Sequence, residues 1–164
     1  MRSYVVLLVL LLFVHSGRSQ VIIPNPDQPK ELGKTVFGLG LSAGVVSGFG
    51  LSFRHHFPSE ISYQVVAGII KVDTKLHYNI GGEAQYDLAR GSVTRFFAVA
   101  ALGYFYSGES GHNDLHGPFR AGIGLGGEWG QIEPLHLSGE LLFTYFSDGT
   151  VLPLPQVSAH YYFF

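Results

Sequence analysis

Residues 76–87, LHYNIGGEAQYD, alternate between two kinds of side chain at every step. Leucine, tyrosine, isoleucine and alanine stand at even positions, whereas histidine, asparagine, glutamate, glutamine and aspartate stand at odd ones. A period of two is that of a β-strand with one apolar and one polar face. The stretch therefore predicts a strand whose two faces meet different environments.

The same period recurs from Thr35 to the end of the chain. Clusters of glycine, serine and proline interrupt it, and the longest polar connection spans residues 107–118. The pattern predicts eight strands, with approximate bounds 35–45, 49–57, 60–72, 76–87, 93–106, 119–129, 135–145 and a last strand that follows residue 153 and ends at Phe164.

The first residues predict export. Arg2 precedes an apolar run at 5–14, and the small residues Gly17 and Ser19 follow it. This order is that of a secretory signal peptide, with cleavage expected before Gln20. As a helix the run would cover only about 15 Å, half of a bilayer core. We therefore expect a signal peptide at 1–19, a proline-rich periplasmic leader at 20–34 and a β-barrel at 35–164.

The composition is unusual for a soluble domain. Charged residues make up 13% of the chain, about half of the usual share, while aromatic residues make up 14%. The chain has 22 glycines and no cysteine, and its net charge of −2 gives no electrostatic basis for binding nucleic acid. Beyond the first residues, no apolar run is long enough for a membrane-spanning helix. If the apolar side chains meet lipid, they do so as strand faces.

Strand faces in lipid require a closed barrel. Unpaired backbone N–H and C=O groups cost several kcal/mol each in hydrocarbon, so an open sheet edge is excluded there. Eight strands close around an interior that side chains just fill. The predicted fold is an all-β, eight-stranded antiparallel up-and-down transmembrane β-barrel with short periplasmic turns and longer outer loops. Aromatic residues should form two interfacial girdles, Tyr104, Phe105, Tyr106, Tyr145 and Phe146 on one side and Tyr161, Tyr162, Phe163 and Phe164 on the other.

The polar faces predict a filled lumen. They carry both signs of charge together with many glycines, which leave room in a narrow interior. Opposite charges can pair there and avoid the penalty of isolated buried ions. We expect a polar network that consists of Arg54, His77, Glu83, Asp87, Arg95, Arg120, Glu128 and Glu140.

The chain ends in four aromatic residues. Closing on Phe164 after a strand, it resembles outer-membrane β-barrel proteins, and in size and strand number it is similar to the small members such as the transmembrane domain of outer-membrane protein A. The resemblance implies a Gram-negative outer-membrane protein in contact with lipid and lipopolysaccharide. It also implies that Tyr162 and Phe164 belong to the recognition signal for the barrel-assembly machinery. His160 and Ser158 depart from that signal, whose alternate residues are apolar; the better apolar row is Phe163, Tyr161, Ala159 and Val157.

Two side-chain groups raise the question of chemistry. His136, Ser138 and Glu140 contain the residue types of a hydrolase triad, and some outer-membrane lipid deacylases and phospholipases resemble this chain by a His-x-Ser pair. Alternate strand positions lie about 6.6–7 Å apart, however, so these residues fit a lumen hydrogen-bond network better. In the longest loop, His112, Asp114 and His116 are weak candidates for a metal site. The sequence indicates no cofactor and favours a non-enzymatic role.

The function predicted from the sequence is therefore broad. The first interpretation is a structural or surface-interaction protein whose outer loops meet an extracellular ligand. The alternatives are a hydrolase of lipid or lipopolysaccharide, a narrow porin-like pore for small solutes, and a soluble, secreted lipocalin-like barrel. The last would place apolar residues inside and charged residues outside, the reverse of the predicted arrangement.

Overall fold

The computed structural model describes residues 35–163 except 92, 110 and 133, with the backbone alone at 131 and 132. The expected signal peptide and leader and Phe164 lie outside the described residues. Eight strands follow one another: β1 (Val36–Ala43), β2 (Phe49–His56), β3 (Ile61–Val72), β4 (Lys75–Arg90), β5 (Thr94–Gly108), β6 (Phe119–Ile132), β7 (Leu135–Phe146) and β8 (Val151–Phe163).

Each strand pairs antiparallel with the next one, and β1 closes the sheet by pairing with β8. Leu41 shows the closure, since it lies opposite Leu51 of β2 and Ala159 of β8. The predicted eight-stranded up-and-down barrel is confirmed. Among the described residues, no helix reaches the length and apolarity that crossing a bilayer would take.

The two faces of the wall differ as the alternation predicts. In β5, Phe96 and Leu102 point outward and are 46% and 57% exposed, whereas Arg95 points inward and is buried. The same division holds in the other strands, where leucine, isoleucine and phenylalanine form the outer rows and polar residues the inner ones. Because the barrel is closed, these outward apolar rows form a continuous hydrophobic surface around it.

We call the end where the chain enters β1 and leaves β8 the terminal end, and the opposite end the loop end. The hairpins β1–β2, β3–β4, β5–β6 and β7–β8 turn at the loop end, and β5–β6 has the longest connection. That connection starts at Glu109 rather than Ser107, because β5 continues to Gly108 opposite Leu76.

The start of the last strand was also predicted wrongly. β8 starts at Val151 and includes Pro153 and Pro155, which pair with β7, whereas the sequence placed a loop up to residue 153. Proline is tolerated in a strand at an edge, where its missing N–H breaks no ladder bond. β1 pairs with β8 only from Val157 onward, so both prolines lie on such an edge.

Candidate functional site

The candidate functional groups of the protein lie in the lumen. Side chains fill this lumen in two layers. Polar and charged side chains occupy the part towards the terminal end, and an apolar cluster lies towards the loop end. Apart from Val46, which lies in the β1–β2 loop, the residues of both layers stand at inward positions of the alternating strands.

Arg54 of β2 is the centre of the polar layer and is fully buried. Its guanidinium donates to Gln64 at 2.8 Å, to Ser158 at 3.1 Å and to Ser138 at 3.2 Å. It also forms an ion pair with Glu128, which lies on β6 across the barrel. A fixed fork of donors thus joins strands β2, β3, β6, β7 and β8.

Arg95 of β5 is the second buried cation. It donates to Asp87 at 2.8 Å, to Glu128 at 2.9 Å, to Gln85 at 2.7 Å and to Ser62 at 3.0 Å. Glu128 therefore accepts from two arginines, and its other oxygen meets the His136 ring at 3.0 Å. Such charge-assisted bonds offset part of the penalty of burying these ions.

Glu83 and Glu140 face each other across the lumen through two shared amides. The Gln156 amide donates to Glu83 at 2.6 Å and to Glu140 at 2.5 Å. The Gln85 amide donates to the same two carboxyls at 2.9 Å and 3.2 Å. The polar layer thus contains two buried arginines and four buried carboxyl groups, including Asp87 and Glu128.

The loop between β1 and β2, residues 44–48, folds into the barrel, and we call it the plug loop. Val46 and Ser47 are 1% and 0% exposed. Val46 packs in an apolar cluster with Phe97, Val99, Ala101 and Leu142. The strand bounds predicted from the sequence leave only a short connection at 46–48, because nothing in the period of two shows that a loop turns inward.

Two side chains secure the plug loop. The guanidinium of Arg120 donates to the Val45 carbonyl at 2.7 Å and lies over the Phe105 ring. Asn79 accepts from the Phe49 N–H at 3.0 Å and donates to the Phe49 carbonyl at 2.9 Å. Arg120, expected in the polar network, thus acts at the loop end instead.

His77 also differs from the expectation. It is half-buried on β4 near the loop end, opposite Ile70 of β3. Among the described residues, no hydrogen bond joins His77 to the polar layer. The other six residues that were predicted for the network, Arg54, Glu83, Asp87, Arg95, Glu128 and Glu140, are brought together there.

The hydrolase candidates have separate partners. His136 contacts Glu128, Ser138 lies 2.5 Å from the Ser158 hydroxyl, and Glu140 accepts from the two glutamines. Among the described contacts, none joins these three residues to one another. They hold different parts of the lumen network.

Tyr162 lies inside the barrel and not in the outer girdle. Its hydroxyl donates to Glu128 at 3.2 Å and lies 2.8 Å from His56. The outward row at the end of β8 is therefore that of Tyr161 and Phe163. Phe105 is likewise buried inside, beneath Arg120. Any role of Tyr162 and Phe164 in assembly stays a prediction.

Local hydrogen bonds hold the described residues of the long loop at 109–118. The Asn113 side chain accepts from the Ser107 and Leu115 N–H groups and donates to the Phe105 carbonyl. Asp114 accepts from Lys75 at 2.8 Å, which ties this loop to the β3–β4 hairpin. That hydrogen bond and the lysine charge lower the pKa of Asp114.

The metal candidates in that loop do not converge. Asp114 is bound to Lys75, and both His112 and His116 are exposed. Among the residues described, no three histidine or acidic side chains meet in a way that could hold a metal ion.

The outer surface carries aromatic side chains at both ends of the barrel. Towards the loop end the rings of Tyr78 and Tyr106 stack at 4.8 Å. Towards the terminal end Phe37 stacks on His55 at 4.6 Å. An apolar exterior between two aromatic levels, around a charged interior, is the arrangement of a membrane-spanning β-barrel.

Comparison with known proteins adds little to the assignment of a membrane-spanning β-barrel. No family model matches the chain, and no curated protein matches it. Among solved structures, the chain is similar to Neisserial surface protein A, whose crystal structure aligns at 17% identity with 78% of this chain and 92% of that chain. The TM-score is 0.33, so the fold assignment rests on the strand pairing of this chain.

The sequence analysis missed the neutral residues of the site. Gln64, Gln85 and Gln156 bridge the charged groups, and Ser52 lies 2.8 Å from the His160 ring. All four of these polar side chains stand at inward-facing positions of their strands, so the apolar–polar alternation of the sequence could have identified them. The apolar layer had no comparable signal, because β5 is apolar on both faces.

Proposed function

We propose that this protein is an integral outer-membrane β-barrel with a structural or surface-interaction role and a lumen closed by its own side chains. The observation that carries the proposal is the division of the wall. Large apolar side chains form the outward rows, while Arg54 and Arg95 are buried inside, where they pair with Glu128 and Asp87. In water this surface would be an aggregation hazard, whereas in a bilayer it is the surface that lipid requires.

A Gram-negative outer membrane fits the predicted export of the chain. An even number of strands puts both chain termini on one side of the membrane, which is periplasmic in the usual topology of such barrels. The loop end then faces outward, in contact with lipopolysaccharide and with any extracellular ligand. Insertion in this orientation would engage the barrel-assembly machinery.

The filled lumen supports a structural role over transport. Arg54 and Glu128 meet from opposite walls, and the plug loop fills the space between this pair and the loop end. The surface that the protein offers to partners is therefore the loop end itself. There the Lys75–Asp114 contact joins the β3–β4 hairpin to the longest loop.

Cysteine labelling tests location and orientation together, since the chain contains no cysteine. The full chain, produced in a Gram-negative host, would carry Asp148→Cys at the loop end or, as the matched variant, Pro58→Cys at the terminal end. Both residues are exposed. With a membrane-impermeant maleimide, intact cells should label only the Asp148 variant, and both variants should label after lysis.

Fractionation and gel migration complete the test. The protein should sediment with outer membranes and migrate differently before and after boiling in detergent. Recovery as a soluble periplasmic monomer would overturn the proposal. Labelling of Pro58→Cys alone in intact cells would reverse the proposed orientation.

A further inference from the structure

The wall of the barrel is uneven at the loop end. β1 and β2 have eight residues each, whereas β3 has twelve and β8 has thirteen. β2 pairs with β3 only up to Leu51 and Ala67, and β1 pairs with β8 only up to Ala43 and Val157. The gap above β1 and β2, between residues 68–72 and 151–156, is called the notch here.

Both sides of the notch are strand edges. Within the described part of the chain, no strand pairs with the notch-facing edge of β3 beyond Ala67 or with that of β8 before Val157. A bare edge offers a row of backbone N–H and C=O groups to any extended chain. Proteins commonly protect such edges with proline or charge.

The two strand edges of the notch differ in whether they can pair with an added strand. The β8 edge carries Pro153 and Pro155, which lack the N–H that an added strand would need. The β3 edge contains no proline, and its apolar residues are open to contact: Ile69, Ile70 and Val72 are 71%, 51% and 53% exposed. One side of the notch is blocked to pairing and the other is available.

Asn79 explains why the notch-facing edge of β3 is left unpaired. This side chain lies opposite Gly68 and reaches past it to bond both the N–H and the carbonyl of Phe49. The Phe49 backbone is thus satisfied by β4 and does not need β3. A Cβ at residue 68 would collide with the Phe49 carbonyl and crowd the Asn79 amide. Gly68 and Asn79 together end the β2–β3 ladder at this level.

The β3 edge extends beyond the aromatic level of the outer surface. Ile69 pairs with Tyr78, whose ring stacks on Tyr106. Ile70, Lys71 and Val72 continue past that level. Along this edge Ile70 and Val72 share one face, and the Lys71 ammonium lies on the other.

We propose that the edge Ile69–Val72 binds an extended segment of another protein by β-strand addition. The segment pairs with the backbone of β3, sets apolar side chains against Ile70 and Val72, and places an acidic side chain opposite Lys71. A second copy of this chain would bring its own Lys71 to that edge, and like charges disfavour it. The inference rests on the proposed function, which turns the loop end outward.

The test uses the full chain purified in detergent, so binding is measured independently of its orientation in cells. The probe is a blocked eight-residue peptide of alternating valine and threonine with one central threonine replaced by glutamate. Its binding should protect the amides of Ile69 and Lys71 from hydrogen exchange, because those of Ile70 and Val72 already point to β4. The same peptide with a central proline should bind more weakly by about tenfold, because ladder bonds are lost.

Two matched variants locate the contact. Val72→Thr should weaken binding about fivefold, since it removes exposed apolar surface from the edge. Val151→Thr, which makes the same change at a residue of similar exposure on the blocked side, should leave the affinity unchanged. Lys71→Glu should reverse the preference from the glutamate peptide to its lysine counterpart.

The results that overturn the inference are distinct from failure of the proposed function. Equal binding of the proline peptide, or no protection at Ile69 and Lys71, refutes strand addition even if the protein is in the outer membrane. Dimerisation that Val72→Thr abolishes would show that a second copy occupies the edge and would also refute it. If the peptide binds but the protein is not in the outer membrane, the proposed function fails alone.

Discussion

Arg54 and Glu128 form an ion pair across the lumen, from β2 and β6 on opposite sides of the barrel. Both side chains are almost completely buried. The pair therefore joins walls that share no strand pairing, and it does so where water cannot screen it.

Removing one partner of this pair should be strongly destabilising. Glu128→Gln leaves Arg54 and Arg95 without their shared carboxylate, and breaking a buried pair costs about 3–5 kcal/mol. Equilibrium urea unfolding in detergent or lipid measures the loss. Arg90→Gln is the control, because Arg90 is half-exposed at the rim, although it also pairs with a carboxylate. Equal, small effects of the two changes would contradict a structural role for the pair.

The plug loop should depend on the absence of a side chain at Gly103. A Cβ at this position would collide with the Val46 carbonyl. Gly103→Ala should therefore displace the loop, raise hydrogen exchange at Val46 and Ser47 and destabilise the barrel by about 1–3 kcal/mol. Gly139→Ala is the matched control, since no atom lies within 4 Å of its added methyl. Wild-type exchange in Gly103→Ala would show that the loop does not pack there.

Asn79 should hold the start of β2. Asn79→Ala removes both hydrogen bonds to the Phe49 backbone, at a cost of about 1–3 kcal/mol. Hydrogen exchange at the Phe49 amide should accelerate. Asn113→Ala removes a similar set of bonds in the 109–118 loop, so it should leave the Phe49 amide protected. Acceleration in both variants would mean that the effect is not local.

The contact between Lys75 and Asp114 should respond to pH at its acidic end. Since the pKa of Asp114 is lowered below 3.8, the contact is present at neutral pH and is lost as the pH falls through the lowered value. Carboxyl NMR titration of Lys75→Met should show the pKa of Asp114 returning upward. The pKa of Asp148 is lowered by the Thr150 N–H and should not move. An unchanged pKa of Asp114 in the Lys75→Met variant would refute the contact.

The outer surface of the barrel was predictable because alternate residues of a strand point to opposite faces of the wall. Alternation on β4 and the expected place of Arg95 in the lumen network assigned the faces of β4 and β5 correctly. The same alternation places Gln64 and Gln85 inside, although the sequence analysis named only charged residues and His77 there. The strand end at Tyr162 was harder, because tyrosine suits both a lipid interface and a polar lumen.

Other parts of the site depend on contacts that no local pattern records. Arg120 has inward parity like Arg54, yet its partner is the Val45 carbonyl, 75 residues away along the chain. The plug loop turns inward where Gly81 of β4 and Gly103 of β5, opposite each other in the sheet but far from the loop along the chain, leave space for it. Pro153 and Pro155 fit in β8 only because β1 is too short to reach them. These features depend on strand lengths and stagger, which appear only when the barrel closes.

The most direct test of the account asks what the outward face of β5 touches. Trp129, the only tryptophan of the chain, is replaced by phenylalanine, and tryptophan is placed at Leu102, which is 57% exposed near the middle of the strand. In phospholipid vesicles, acyl chains brominated near their ends should quench this tryptophan strongly, and aqueous iodide should not. Efficient quenching by iodide with no effect of brominated lipid would show that this face meets water, and the membrane-spanning assignment would be wrong.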